Sequence, residues 1–279
     1  MIIDFHTHIF PPVFRDVRQR YLELDATFAA LYSNPKAKLA TSGELVASMD
    51  EAEVDKSVVM GVGWTNPEVA KEANDYIIES VGAYPSRLIG FCSVNPAWGS
   101  AAVEEAERCA DAGLRGIGEL HADSQGFDVA DRAALAPLMD LANRRGLQVL
   151  VHGSEPVGHK YPGKGTTTPD LLYRMVRNFP DNVIVCAHWG GGLPLYTLMP
   201  ELAAELKNVY FDSAASPFLY HPAIYSTVSD VAGPEHILFG TDYPLLSYKR
   251  SLEHLKEAHL YPEHRERILG KNAQELLGL

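Results

Sequence analysis

The amino-acid sequence predicts a (β/α)8 barrel built as a single domain over residues 1–279, and three observations carry that expectation. Eight short apolar runs rich in Val and Ile recur along the chain: MIIDFH, KSVVMGV, RLIGFCSV, RGIGEL, LQVLVH, NVIVCAH, NVYFDS and HILFGTD. Several are apolar at almost every position, as strands buried on both faces are. The length of 279 residues suits a fold that typically takes roughly 250. No G-x-G-x-x-G follows the first run, which argues against the doubly wound alternative.

The runs centre near residues 3, 58, 90, 117, 150, 185, 210 and 239. After the first interval they lie roughly 25–35 residues apart, the length of one strand–helix unit. The intervals hold amphipathic segments: GELVASMDEAE, NPEVAKEANDYIIESVGAYP, GSAAVEEAERCADAGL, VADRAALAPLMDLANRRGL and TPDLLYRMVRNFP. The glycines of DAGL and RRGL sit where helices commonly end, just before the next strand. The first interval is longer. Residues 10–42, FPPVFRDVRQRYLELDATFAALYSNPKAKLATS, form an insertion after the first strand. In a barrel it would stand over the carboxyl ends of the strands, as a lid or pocket wall or as surface decoration.

Composition narrows the partners. A formal net charge of -12, from 36 acidic against 24 basic residues, argues against nucleic acid and against anionic membranes. No run of about 18 apolar residues occurs, and no signal-peptide pattern precedes the first strand. Three widely spaced cysteines, Cys92, Cys109 and Cys186, make neither a disulfide framework nor a C-x-x-C site. A reduced, cytoplasmic setting is the expectation.

Chemistry enters at the ends of the strands. Side chains two apart on a strand share a face, so the FHTH stretch aims His6 and His8 at one spot. Glu119 ends the fourth run, His152 the fifth, His188 the sixth and Asp242 the eighth. A barrel brings all these ends around one mouth. Alone, His152 reads as a strand cap and Asp242 as a helix N-cap. Together, four imidazoles and two carboxylates suit Zn, Mn, Fe or Co.

The segments FHTH, VHGSEP, AHWGG and FGTDYP resemble the amidohydrolase superfamily, in particular the amidohydrolase-related group typified by aminocarboxymuconate-semialdehyde decarboxylase. The ILGKNAQELL ending resembles that group's closing helix. The resemblance implies the barrel, a divalent metal (most often zinc, as one or two ions), hydrolase or decarboxylase chemistry on a small-molecule substrate, and a homodimer. It implies metal ligands at His6, His8, His152 and Asp242. It also gives Asp242 the handling of protons, and gives His188 either a second ion or the steering of water and substrate. Glu119 is a departure, standing where many superfamily members carry a carbamylated lysine; here it is expected as a further ligand.

The leading expectation is a hydrolase in which metal-activated water attacks a lactone, amide or ester, with Asp242 as general base and then acid. The alternative is a nonoxidative decarboxylase of an aromatic or dienoic acid. A non-catalytic metal-binding barrel is a third reading. Substrate contacts are expected from His121, Trp64, Lys160 or Lys164, Tyr220 with His221, and Tyr243, with Trp189 as a further wall residue. His159, His236, His254, His259 and His264 are read as ordinary.

Overall fold

The computed structural model describes residues 1–279. Its eight strands are β1 (Ile3–His8), β2 (Lys56–Met60), β3 (Leu88–Cys92), β4 (Gly116–Leu120), β5 (Gln148–Val151), β6 (Ile184–Cys186), β7 (Val209–Asp212) and β8 (Ile237–Leu238). All neighbours pair in parallel, in chain order. Hydrogen bonds from Phe5 N to Phe239 O (2.7 Å), Asp242 N to His6 O (2.9 Å) and His8 N to Tyr243 O (2.7 Å) join β1 to the β8 segment and close the barrel. Each strand overlaps its expected run, β1 extending two residues past it to His8, and each expected helix overlaps its segment. These include Pro67–Ala83, Ser100–Asp111, Arg132–Arg145 and Pro169–Asn178. Gly146 ends the third of them with φ 64°, a left-handed conformation in which a Cβ would be strained.

Alternate strand residues divide between two cores. Val58, Met60, Ile89, Phe91, Leu150, Val185 and Leu238 pack inside the barrel with Ile3 and Phe5, while Ala273 and Leu277 of the C-terminal helix cover that cluster. The other set, including Val59, Cys92, Val149, Val151, Cys186 and Ile237, packs outward against the helices. No helix is long and apolar enough to cross a membrane.

The insertion forms its own aromatic core. Phe10, Phe14, Tyr21 and Phe28 bury against Trp64 from the segment after β2. Phe28 stacks on Trp64 at 6.1 Å, and Phe14 meets it edge-on at 5.7 Å. Asp25 ties this layer to the barrel. Its buried carboxylate caps the helix Ala26–Tyr32 at Phe28 N (2.8 Å) and accepts from Thr65 N (2.7 Å) and Asn66 N (2.9 Å). Asp25→Ala leaves these donors unpaired, so it should lower unfolding free energy by about 2–3 kcal/mol. Urea denaturation checks this: the midpoint falls with m unchanged, and a loss below about 0.5 kcal/mol, the scatter of ordinary surface substitutions, contradicts it.

Candidate metal centre

Two local irregularities aim the site. The β1–β2 register shifts between Asp4 and Thr7, and the β4–β5 register between Ile117 and Leu120. Ile3 and Phe5 face the barrel interior, so strict alternation would turn His6 outward. The shift instead turns both His6 and His8 inward, as such irregularities commonly do beside functional sites. Asp4, pointing the other way, accepts from Thr241 N (3.0 Å), Thr241 Oγ1 (2.5 Å) and His6 N (3.1 Å). It thereby locks the segment that carries Asp242 onto β1. Asp242 and His188 hold left-handed backbone conformations, with φ of 66° and 55°. Such conformations cost of order 1–3 kcal/mol each and persist where surrounding contacts enforce them. After His188, Gly191 allows the closest approach: a Cβ there would lie 2.2 Å from Ser154 O.

The four imidazoles share one pattern. His6 Nδ1 meets Asp212 Oδ2 at 2.8 Å, His8 Nδ1 meets Gly61 O at 3.1 Å, His152 Nδ1 meets Glu119 Oε1 at 2.8 Å, and His188 Nδ1 meets Ala214 O at 3.0 Å. Every partner is an acceptor, which assigns the proton to Nδ1 and leaves each Nε2 lone pair turned to the centre. There His6 Nε2 and His8 Nε2 lie 3.1 Å apart. Glu119 Oε2 stands 3.7 Å from the first and 3.8 Å from the second, and Asp242 Oδ1 is 3.2 Å from His8 Nε2. Glu119 Oε1 also lies 3.5 Å from His188 Nε2. Glu119 thus stands between two groups of ligand atoms that could hold an ion, one with His6 and His8, the other with His152 and His188.

Electrostatics and unmet valences agree that the donor set fits a divalent cation. His152 Nε2 is buried without a hydrogen-bond partner. Burial, aided by the facing His121 and outweighing Glu119, pushes the His152 pKa down to about 4, so the ring stays neutral with its lone pair free. Burial opposes charge on His6 as well, yet Asp212 and Glu119 overcome it and raise its pKa well above the usual value. His188 is pushed up to about 9, Glu119 and Asp242 outweighing burial. Burial works against the Glu119 and Asp242 carboxylates, but the surrounding histidines hold both below the ordinary range. Two lone pairs facing each other at 3.1 Å need a positive charge between them, and the buried carboxylates supply the field that attracts one. The Nδ1–H contacts to carboxylate and carbonyl are the supports that metal-binding imidazoles generally have.

The centre forms the floor of a cavity of about 470 Å³. His8, Glu119, His121, His152, His188 and Asp242 line it. His6 lies just beneath, fully buried. His121 stacks on His152 at 4.2 Å, and both its nitrogens are occupied, by Gly163 O (2.9 Å) and Ser124 N (3.4 Å). It contributes a wall rather than a free donor.

Other expected contacts lie elsewhere. Trp64 does not border the cavity, because the aromatic core of the insertion claims it; Val62 takes the wall position. Lys160 faces solvent, and Lys164 donates to Val157 O (2.6 Å) and His159 O (3.1 Å), bracing its own loop. Tyr220 sits half-buried outside the lining residues. Tyr243 stacks on Tyr248 at 5.7 Å, leaving Pro244 and Leu245 to reach the cavity. His221 Nδ1 accepts from Ala223 N at 3.2 Å, and the Trp189 indole donates to Ser216 Oγ at 3.0 Å in the core.

The wall includes residues that sequence reasoning did not single out. The insertion supplies Leu31, Tyr32, Asn34, Lys36, Ala37 and Lys38, which makes it a pocket wall. Burial and the Asp242 and Glu119 carboxylates raise the Tyr32 phenol, so it lies within the field of the centre. His159, read as ordinary, also borders the cavity, as do Tyr161 and Phe218. Asp212 is the most instructive omission. It closes the run NVYFDS, so the strand-end rule that selects Glu119 would have selected it too.

An amidohydrolase family model matches residues 3–279. The 6-methylsalicylic acid decarboxylase of Penicillium expansum is 26% identical over 311 residues, covering 97% of this chain and 94% of its own. The 2-amino-3-carboxymuconate-6-semialdehyde decarboxylase of Dictyostelium discoideum is 24% identical over 332 residues, covering 99% and 91%. The crystal structure of 5-carboxyvanillate decarboxylase from Novosphingobium aromaticivorans, complexed with manganese and a nitrobenzoic acid, superposes with a TM-score of 0.79 at 18% identity, covering 100% of this chain and 96% of that one. With a family model matched across nearly its whole length, the chain belongs to the amidohydrolase family.

Proposed function

We propose that this chain is a metal-dependent nonoxidative decarboxylase of an aromatic carboxylic acid. The observation that carries the reading is the convergence of inward Nε2 lone pairs and two carboxylates on the floor of a cavity with apolar and aromatic walls. Relatives spanning nearly all of this chain are decarboxylases, and this favours decarboxylation over hydrolysis.

In this reading His6, His8, His152 and Asp242 would hold the ion, with Glu119 as a further oxygen donor. Manganese stands beside zinc as the metal, on the precedent of the manganese-bound neighbour. A bound divalent ion supplies Lewis acidity at the substrate's oxygens. Leu31, Tyr32, Phe218 and Leu245 clamp the ring and exclude water from the floor. Asp242, whose carboxylate the histidines hold ionised, takes up a proton from solvent as the substrate enters and carries it to the ring carbon that bears the carboxylate. As that carbon takes the proton, its bond to the carboxylate breaks, the bonding pair restores the aromatic ring, and CO2 leaves. His188, with Nδ1 committed to Ala214 O, turns Nε2 to the same floor and accepts from a substrate hydroxyl there.

Hydrolysis of a small lactone, amide or ester is the second reading, and the second donor group around Glu119, His152 and His188 favours it, since paired ions serve hydrolases well.

Metal-loaded protein incubated with aromatic acids should release CO2 and, in D2O, place one deuterium on the ring carbon; ester or lactone cleavage without CO2 would reverse the order of the two readings. Asp242→Asn should lower turnover by about 10²-fold or more while the circular dichroism stays native. His6→Ala combined with His8→Ala should abolish stoichiometric metal in elemental analysis of the purified protein. Asp212→Asn touches the centre only indirectly, through His6, His188 N and Ala214 N. It should weaken metal affinity by roughly 10–100-fold in a competition titration, and unchanged affinity would remove its supporting role.

A further inference from the structure

One polar group in the cavity wall has its hydrogen-bonding role dictated by a neighbour. Tyr161 lines the cavity, and its hydroxyl donates to Glu155 Oε2 at 2.9 Å. A phenol has one proton and two lone pairs, so with its proton committed to a carboxylate it can only accept from anything else. Glu155 Oε1 and the Tyr220 hydroxyl are both buried with no hydrogen-bond partner. Burial pushes the Tyr220 phenol up, and the Glu155 carboxylate beside it adds to the effect. The Tyr161 proton therefore cannot turn away from Glu155 cheaply.

The loop holding this arrangement is tied along its length. Lys164 donates to Val157 O (2.6 Å) and His159 O (3.1 Å). Gly165 N donates to Ser154 Oγ (3.0 Å), and Thr167 Oγ1 donates to Asp123 Oδ2 (3.2 Å).

Resting on the decarboxylase reading, we infer that Tyr161 is a specificity-determining acceptor, selecting aromatic acids that carry a hydroxyl or amino donor on the ring, with Glu155 setting its polarity. A ring with a methoxyl in that place would oppose lone pair to lone pair, and the mismatch rejects it.

Metal-reconstituted protein, titrated calorimetrically with benzoates carrying one hydroxyl or one methoxyl at each ring position, tests this without requiring turnover. At one position the hydroxyl ligand should bind about tenfold or more tightly than its methoxyl counterpart. Tyr161→Phe should bring that ratio to near one by weakening the hydroxyl ligand alone. In Glu155→Gln the amide nitrogen can donate to the phenol and free its proton for the cavity, so the ratio should fall or invert. A wild-type ratio near one at every position, or a ratio that survives either substitution, overturns the inference. CO2 release without discrimination overturns the acceptor and leaves the decarboxylase; discrimination without CO2 from any ligand overturns the decarboxylase and leaves the acceptor. No binding by any benzoate overturns both.

Discussion

Two imidazole nitrogens held 3.1 Å apart, lone pair to lone pair, are the constraint around which the carboxyl end of the barrel is organised. That arrangement is unfavourable unless positive charge lies between them. The protein enforces it from behind, fixing His6 through Asp212 and His8 through the Gly61 carbonyl. Asp212 does more than orient His6, because its other oxygen accepts from His188 N and Ala214 N, both at 3.0 Å. One buried carboxylate thus sets the positions of residues from β1, the β6 loop and the β7 loop. Asp4 plays the matching part on the far side of β1, tying His6 to Thr241 and so to Asp242.

Local strain and local anchoring go together here. His188 and Asp242 occupy left-handed conformations, and each is held by a backbone hydrogen bond into a neighbouring strand end. The insertion is anchored in the same fashion: Asp25 binds it to the segment after β2, and an aromatic layer around Trp64 fills the space beneath. Rigid support of this kind lets residues 31–38 serve as one wall of the cavity. The opposite wall comes from the loop after β5, where Lys164 and Asp123 hold the backbone and Glu155 sets the hydrogen bonding of Tyr161.

Much of the centre was legible from strand ends alone. His6, His8, Glu119, His152, His188 and Asp242 are each the polar terminus of an apolar run, and the barrel brings them together. Asp212 was equally legible by that rule. The expected substrate contacts were harder to read, for a physical reason. Trp64, Lys160, Tyr220 and Tyr243 sit on loops, where side-chain direction follows from whichever neighbours claim the group. Trp64 went to an aromatic core, Tyr243 to Tyr248, and the bracing of the loop to Lys164. Lys36 and Lys38, placed on the cavity wall by the insertion, carry no local signal that separates them from ordinary surface lysines.

Periodicity and strand-end chemistry in the sequence by themselves determined the barrel, the order of its strands and the donor set at its mouth. Those properties depend on patterns of two and about 3.6 residues and on which residue types stand at the ends of apolar runs. Tertiary structure alone decided the direction of the donors. Strict alternation from Ile3 and Phe5 would have pointed His6 outward, and the register shift in β1 reverses it. Likewise only packing decided that Glu119 should stand between two groups of donors. Hydrogen-bond polarity depends on which partner lies within reach, and residues 33 or more positions apart come within reach only when the barrel closes.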